Sequence, residues 1–188
     1  MYVDIEKITQ VISYLLQHTS EKTMNYTKVL KLVFFADKLH LRLYGNLITN
    51  DTYCAMKYWP VASHTYDIIK NPEDIDFQWK KIPFSKINNY DIKLDSNIDE
   101  FDMLSETEKK ILDLILKTFW NENWKDLVED THKYKEWADV YNEQNQRAKM
   151  DITKFFENSV WQNEIFNDSD ENLEIVKNLY LERASYAI

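Results

Sequence analysis

Tyr26-Thr-Lys-Val-Leu-Lys-Leu-Val-Phe-Phe-Ala-Asp-Lys-Leu-His-Leu-Arg-Leu-Tyr44 is followed at once by Gly45, the only glycine in the 188-residue chain. Its apolar residues fall around most of a 3.6-residue helical wheel rather than along one stripe. A helix of that kind has little face to give to water, so the pattern predicts a central helix packed on several sides. Gly45 stands where a helix stop favours a residue that enters the left-handed region at little cost. On the N-terminal side, Ile5, Ile8, Ile12, Leu15 and Leu16 recur at i, i+3, i+7, i+10 and i+11. That spacing predicts an amphipathic helix ending near His18, joined to the central one by a polar link over residues 19–25.

After Gly45 the period changes. Leu47-Ile-Thr49 and Tyr53-Cys-Ala-Met-Lys-Tyr58 are short and extended in character, with Asn50-Asp51 as a turn. Together they predict a small β-hairpin, broken by Pro60. Ser63 is placed to cap a short helix that Pro72 terminates. Residues 73–98 alternate twice, at Ile75, Phe77, Trp79 and at Tyr90, Ile92, Leu94. This fits two further short strands or an ordered loop. Ser105-Glu-Thr-Glu108 is a capping box, and Ile111, Leu112, Ile115 and Phe119 follow at helical spacing. A short helix after Asn123 carries Leu127 and Val128, and residues 141–149 read as a loop. Asp151 and Asp170 are placed to cap two last helices, one with Ile152, Phe155, Phe156 and Val160, the other with Leu173, Val176 and Tyr180. The fold class predicted is mainly α, with a small β element in the first half.

Composition excludes several function classes. One glycine cannot supply a phosphate-binding P-loop, a dinucleotide-binding turn or a nucleophile elbow. The single Cys54 excludes an internal disulfide, a redox CxxC pair and a cysteine-rich zinc site. It fits a reducing cytoplasm, which is the expected location. No apolar run approaches the roughly 18 residues of a membrane helix, and the acidic start of the chain has no signal-peptide pattern. Formal charge is −9, unevenly spread: 12 Lys and Arg stand against 10 Asp and Glu through Leu94, and 11 against 22 from Asp95 onward. The acidic half repels phosphate backbones, so direct nucleic-acid binding is not expected of it. An acidic surface is ordinarily just a solvated one. The sharper reading is a face that docks a basic partner.

Candidate chemistry is sparse. Asp37 and His40 lie three apart on the central helix and share a face, where a carboxylate can orient an imidazole as a general base. The structural alternative is a histidine hydrogen-bonded near a helix C-terminus, where its charge is favoured anyway. No spacing links any two of the four histidines as metal ligands, and no metal or cofactor is expected. Two linked helices beside a hairpin also outline a winged helix, but Val33, Phe34 and Phe35 belong in a core rather than a DNA groove.

Lys31-Leu-Val-Phe-Phe-Ala-Asp-Lys-Leu-His-Leu-Arg-Leu-Tyr-Gly45 and Ile48-Thr-Asn-Asp-Thr-Tyr-Cys-Ala-Met-Lys-Tyr-Trp-Pro-Val61 resemble the Panacea domain, also called the SocA-like antitoxin domain, of bacteria and their phages. The resemblance rests on a K-L-x-x-F-A-D helix, a tyrosine and glycine, an I-T segment and a Y-x-A-x-x-Y-x-P-V turn. It continues through Leu104-Ser-Glu-Thr-Glu108, Leu127 and Thr131-His132 to Trp137, covering roughly residues 4–157. Trp59 replaces the family glycine before the proline. A domain over residues 1–157 with a helical extension over 158–188 is the organisation expected.

The resemblance implies a non-enzymatic protein that neutralises a cognate toxin by direct contact. The SocA-like branch implies another route, as an adaptor delivering the toxin to a Clp-type protease. A small-molecule enzyme using Asp37 and His40 is the reading from a different class. Asp37, His40 and Tyr44 with Tyr53, Tyr58, Trp59 and Pro60 are expected on one side of the domain. There they either pack hairpin against helix or form the toxin-binding region. For a basic toxin, Glu122, Asp126, Glu129 and Asp130 are the expected docking acids. His132 and Trp137 are expected to close the core.

Overall fold

Asn25 opens the central helix: its side chain accepts a hydrogen bond from the Thr27 N–H at 2.9 Å, relieving one of the unpaired donors of the first turn. The helix, α2 (Tyr26–Tyr44), ends at Gly45 with φ +70° and its N–H on the Leu41 carbonyl. In the computed structural model, which describes residues 3–57, 59–72, 82–141, 147–159 and 162–186 and leaves out the Trp59 side chain, α2 is the axis of the fold. Packed around it are α1 (Ile5–Gln17), α3 (Ser63–Lys70), α4 (Glu106–Phe119), α5 (Trp124–His132) and α7 (Asp170–Ser185). A four-residue helix, α6 (Lys135–Ala138), follows α5. The architecture is mainly α with some β, as the periodicity requires.

Two three-stranded antiparallel sheets flank the helices. One has the order β1 (Thr23–Asn25), β5 (Asp91–Leu94), β4 (Phe84–Lys86). The other has the order β3 (Trp59–Ala62), β2 (Tyr53–Met56), β6 (Ala148–Lys149). Ile92 and Leu94 turn inward from β5, so the second alternating stretch is a strand; Ile75, Phe77 and Trp79 lie outside the described residues.

The hairpin is not where the sequence placed it. Leu47-Ile-Thr49 forms no strand; β2 pairs instead with β3, in the register Tyr53↔Ala62 to Met56↔Trp59. Pro60 does not break the hairpin but sits within β3, opposite Ala55. A proline has no N–H for a ladder, and β3 is an edge strand where that costs nothing. The link over residues 19–25 contains β1, and the loop over 141–149 contains β6. Both strands are too short to show a period.

Caps differ as well. Ser63 is the first residue of α3 rather than its cap, and Ala62 offers no side-chain bond there. Ser169, not Asp170, caps α7. Residues after Asp151 form a 3₁₀ turn (Ile152–Phe156) rather than an α-helix, and Val160 lies outside the described residues. A second 3₁₀ turn (Glu164–Phe166) leads to α7. The Ser105–Glu108 capping box is present as read.

The core is aromatic around α2. Phe35 stacks on Phe119 at 4.4 Å, and Phe34 meets Tyr53, Phe155 and Tyr134 edge-on at 5.8, 5.3 and 6.1 Å. Burying each phenylalanine is worth roughly 2–3 kcal/mol, and the ring geometry adds about 0.5–1.5 kcal/mol per pair.

Candidate functional site

Asp37 has no contact with water and is held by four donors. Its Oδ1 accepts from the Ile48 and Thr49 N–H groups at 2.8 and 3.0 Å. Its Oδ2 accepts from the Thr49 hydroxyl and, at 2.8 Å, from the Tyr53 hydroxyl. Burial pushes the Asp37 carboxyl up to about 6, against the pull of the Thr49 and Tyr53 hydrogen bonds. Fourteen residues on, the Asp51 carboxylate is equally buried and serves as the missing cap of α3. It accepts from the His64 N–H at 2.9 Å, the His64 ring at 2.8 Å, and the Thr65 N–H and hydroxyl at 2.8 Å each. Asn50, between the two, takes a positive φ of 51°, which asparagine tolerates.

The two carboxylates therefore staple the segment after Gly45 to α2 on one side and to α3 on the other. The residues that carry the family resemblance, Asp37, Ile48, Thr49, Asp51 and Tyr53, are the parts of that staple. His40 is not paired with Asp37. Its Nδ1 hydrogen-bonds the Asn46 carbonyl at 2.7 Å, and burial lowers its pKa from the ordinary 6.5. The dyad needed for base catalysis is not assembled in this conformation. Of the other expected residues on this side, Tyr53 and Pro60 are buried and Tyr44 is exposed, its ring 4.8 Å from that of His40. Tyr58 and the Trp59 side chain lie outside the described residues.

A second polar cluster lies deeper along α2. Lys38 and Glu136 form a fully buried ion pair at 2.6 Å, and the ammonium sits 4.0 Å from the centre of the Tyr134 ring. Burial brings Lys38 down to about 8, with Glu136 acting against that fall. One turn later, Arg42 donates to the carbonyls of Phe166, Phe155 and Glu157 at 3.0, 2.7 and 3.1 Å, and to Asn158 Oδ1 at 2.5 Å. His132 and Trp137 stack at 4.2 Å, and Trp137 Nε1 donates to the Met56 carbonyl at 3.0 Å. Both are only part-buried; Trp137 packs against the hydrophobic core at its edge, as expected, and its indole N–H also ties α6 to the hairpin.

The expected docking acids are at the surface. Asp126 and Glu129 are exposed on α5, and Glu122 and Asp130 are partly covered. Burial raises the Glu122 carboxyl above its usual range, reinforced by Asp130 and Asp126 and opposed by Lys28 and Lys133. No group of acids, histidines or cysteine fit to hold a metal ion occurs among the described residues. No described helix is long and apolar enough to cross a membrane.

Sequence reasoning missed Arg42, Asp51 and Trp120. Trp120 caps the end of α4 and is 45% exposed. The signal was there: it follows Phe119, the last residue of the buried stripe, and a 100° step turns it toward the edge of that face.

The site is thus a small helical scaffold in which Asp37, Asp51, Lys38, Glu136 and Arg42 hold the chain's own segments together, with Tyr44, Trp120, Asp126 and Glu129 left at the surface. A family model described as antitoxin SocA-like, Panacea domain, matches residues 29–138, and the chain belongs to that family. The match begins in the first turn of α2 and ends with α6. No curated protein and no solved structure matches the chain.

Proposed function

We propose that this protein is a cytoplasmic antitoxin that silences a cognate protein toxin by direct contact, without a cofactor. The observation that carries the reading is membership of the antitoxin SocA-like family over residues 29–138. The geometry agrees with it: Asp37, the best candidate for acid–base work, is sealed from solvent and spent on four donors. Tyr53 and Pro60 support the fold, and the groups offered to a partner are Tyr44 and the acids Glu122, Asp126, Glu129 and Asp130. An acidic face of this kind suits a basic toxin, since opposite potentials speed encounter and fix orientation.

The test is to express the product of the adjacent reading frame with and without this protein. Growth arrest by the neighbour alone, relieved by co-expression and accompanied by co-purification, is the expected outcome. A neighbour that never arrests growth, or relief with no complex, contradicts the reading. Reversing Glu122, Asp126, Glu129 and Asp130 together should weaken the complex and flatten its salt dependence. Unchanged affinity and salt response would remove the acids from the interface.

A further inference from the structure

Trp120 stands between two shallow grooves, one of about 290 Å³ against Asp113, Leu116 and Lys117, the other of about 300 Å³ against Met24, Asn25 and Lys28. Its backbone is held from behind: the Lys28 ammonium donates to the carbonyls of Trp120 and Glu122 at 2.8 and 2.6 Å. A half-exposed tryptophan with room on both sides offers a large apolar surface for a partner to cover. Tryptophan is also among the side chains that most often dominate binding energy.

The charge beside it is negative and incompletely matched. Lys28 is spent on carbonyls, Lys133 on Asp130 at 2.7 Å, and Asn123 on Asp126 at 2.5 Å. Glu122 Oε2 is shielded from solvent and accepts no hydrogen bond among the described residues. A cation delivered from outside would complete this group.

Resting on the antitoxin reading, we propose that Trp120 and Glu122 form the centre of the toxin-docking surface, and that the occupant is a basic segment carrying an arginine or lysine next to an apolar side chain. The apolar side chain fills a groove beside the indole, and the cation reaches Glu122. An arginine can in addition lie over the indole face. A second copy of this chain fits less well, because it would set these acids against each other. Nucleic acid fits less well for the same reason.

Titration calorimetry of the purified full chain with the purified product of the adjacent reading frame, at two salt concentrations, tests the surface. Trp120→Ala should weaken binding by about tenfold or more. Glu122→Lys should weaken it most at low salt and flatten the salt dependence, with Glu122→Gln in between. Ile175→Ser, exposed on α7 next to Val176, which packs at Gly45 beyond the end of α2 opposite to Lys28 and Trp120, should bind as the wild type does. Melting curves identify any variant that fails to fold, and Trp120→Phe then replaces Trp120→Ala, with a smaller loss expected.

Wild-type protein that does not bind the neighbour overturns the antitoxin reading and this surface with it. A wild-type complex indifferent to both Trp120 and Glu122 substitutions overturns the surface alone. Loss of a homodimer in Trp120→Ala, with toxin binding unchanged, shows the occupant to be a second copy and likewise overturns it.

Discussion

Asp37 shows burial and hydrogen bonding pulling one acid in opposite directions. Its donors favour the anion and burial outweighs them, while both partners of Oδ2 are hydroxyls that can turn to accept from the neutral acid. Its folded pKa of about 6 lies above the ordinary 3.8. Between those values the folded protein keeps a proton that the unfolded chain has released. This contribution to stability is therefore full below about pH 4 and lost as pH rises through about 6. That difference in pKa corresponds to about 3 kcal/mol. Asp37→Asn lacks this titration, so the stability advantage of wild type over Asp37→Asn should shrink from pH 4 to pH 7 in urea melts. A widening gap would show that the four donors outweigh burial and hold the anion. Asp37→Ala strands several donors at once and should cost about 3 kcal/mol or more at any pH. Gly45 is tested similarly. At φ +70° a Cβ would come within 3.4 Å of the Val176 carbonyl, so Gly45→Ala should lower stability by about 1–2 kcal/mol. A melt unchanged by that substitution would contradict the strain.

Among elements, α2 and the C-terminal segment depend on each other through Arg42. Phe166 and Leu173 are buried, Arg183 donates to the Tyr44 carbonyl at 3.2 Å, and three carbonyls of the 3₁₀ turns and the residue after the first rely on the guanidinium. Arg42→Ala should cost about 3 kcal/mol or more and open the 3₁₀ turns at Ile152–Phe156 and Glu164–Phe166 to limited proteolysis before the rest of the chain. Equal midpoints and equal cleavage would contradict the coupling. The helices were legible because their periods run long: α1 ends at Gln17 with His18 as cap, α2 has the bounds read from its sequence, and the α4 capping box is in place. The strands were less legible because each is two to four residues long and owes its existence to a distant partner. Thr23–Asn25 is a strand only because Asp91–Leu94 lies beside it. Asp51 looked like a turn residue, and only the folded chain brings it to the start of α3. The acids at 122–130 were singled out from charge alone, and the fold leaves Asp126 and Glu129 exposed and Glu122 and Asp130 partly covered. Trp120 was not singled out, although the predicted stripe ending at Phe119 already put it at the edge of the buried face.

For the whole molecule, the charge asymmetry divides the labour. The half through Leu94, near neutral, supplies α2 and its staples, and the half from Asp95 onward carries a net −11 and the exposed acids. Binding that depends on such a field weakens with salt, whereas the fold, built on α2 and its buried pairs, should not. Neutralisation by contact and delivery to a protease, the other route that the family resemblance offers, would give the same rescue. The two differ in what becomes of the toxin. The most direct measurement is therefore the amount of neighbour-encoded toxin left in rescued cells, followed by immunoblot against a strain lacking its Clp proteases. Direct neutralisation predicts that rescued cells hold undiminished, full-length toxin in complex with this protein, with or without the proteases. Toxin that disappears as growth recovers, and persists when the proteases are deleted, would contradict it.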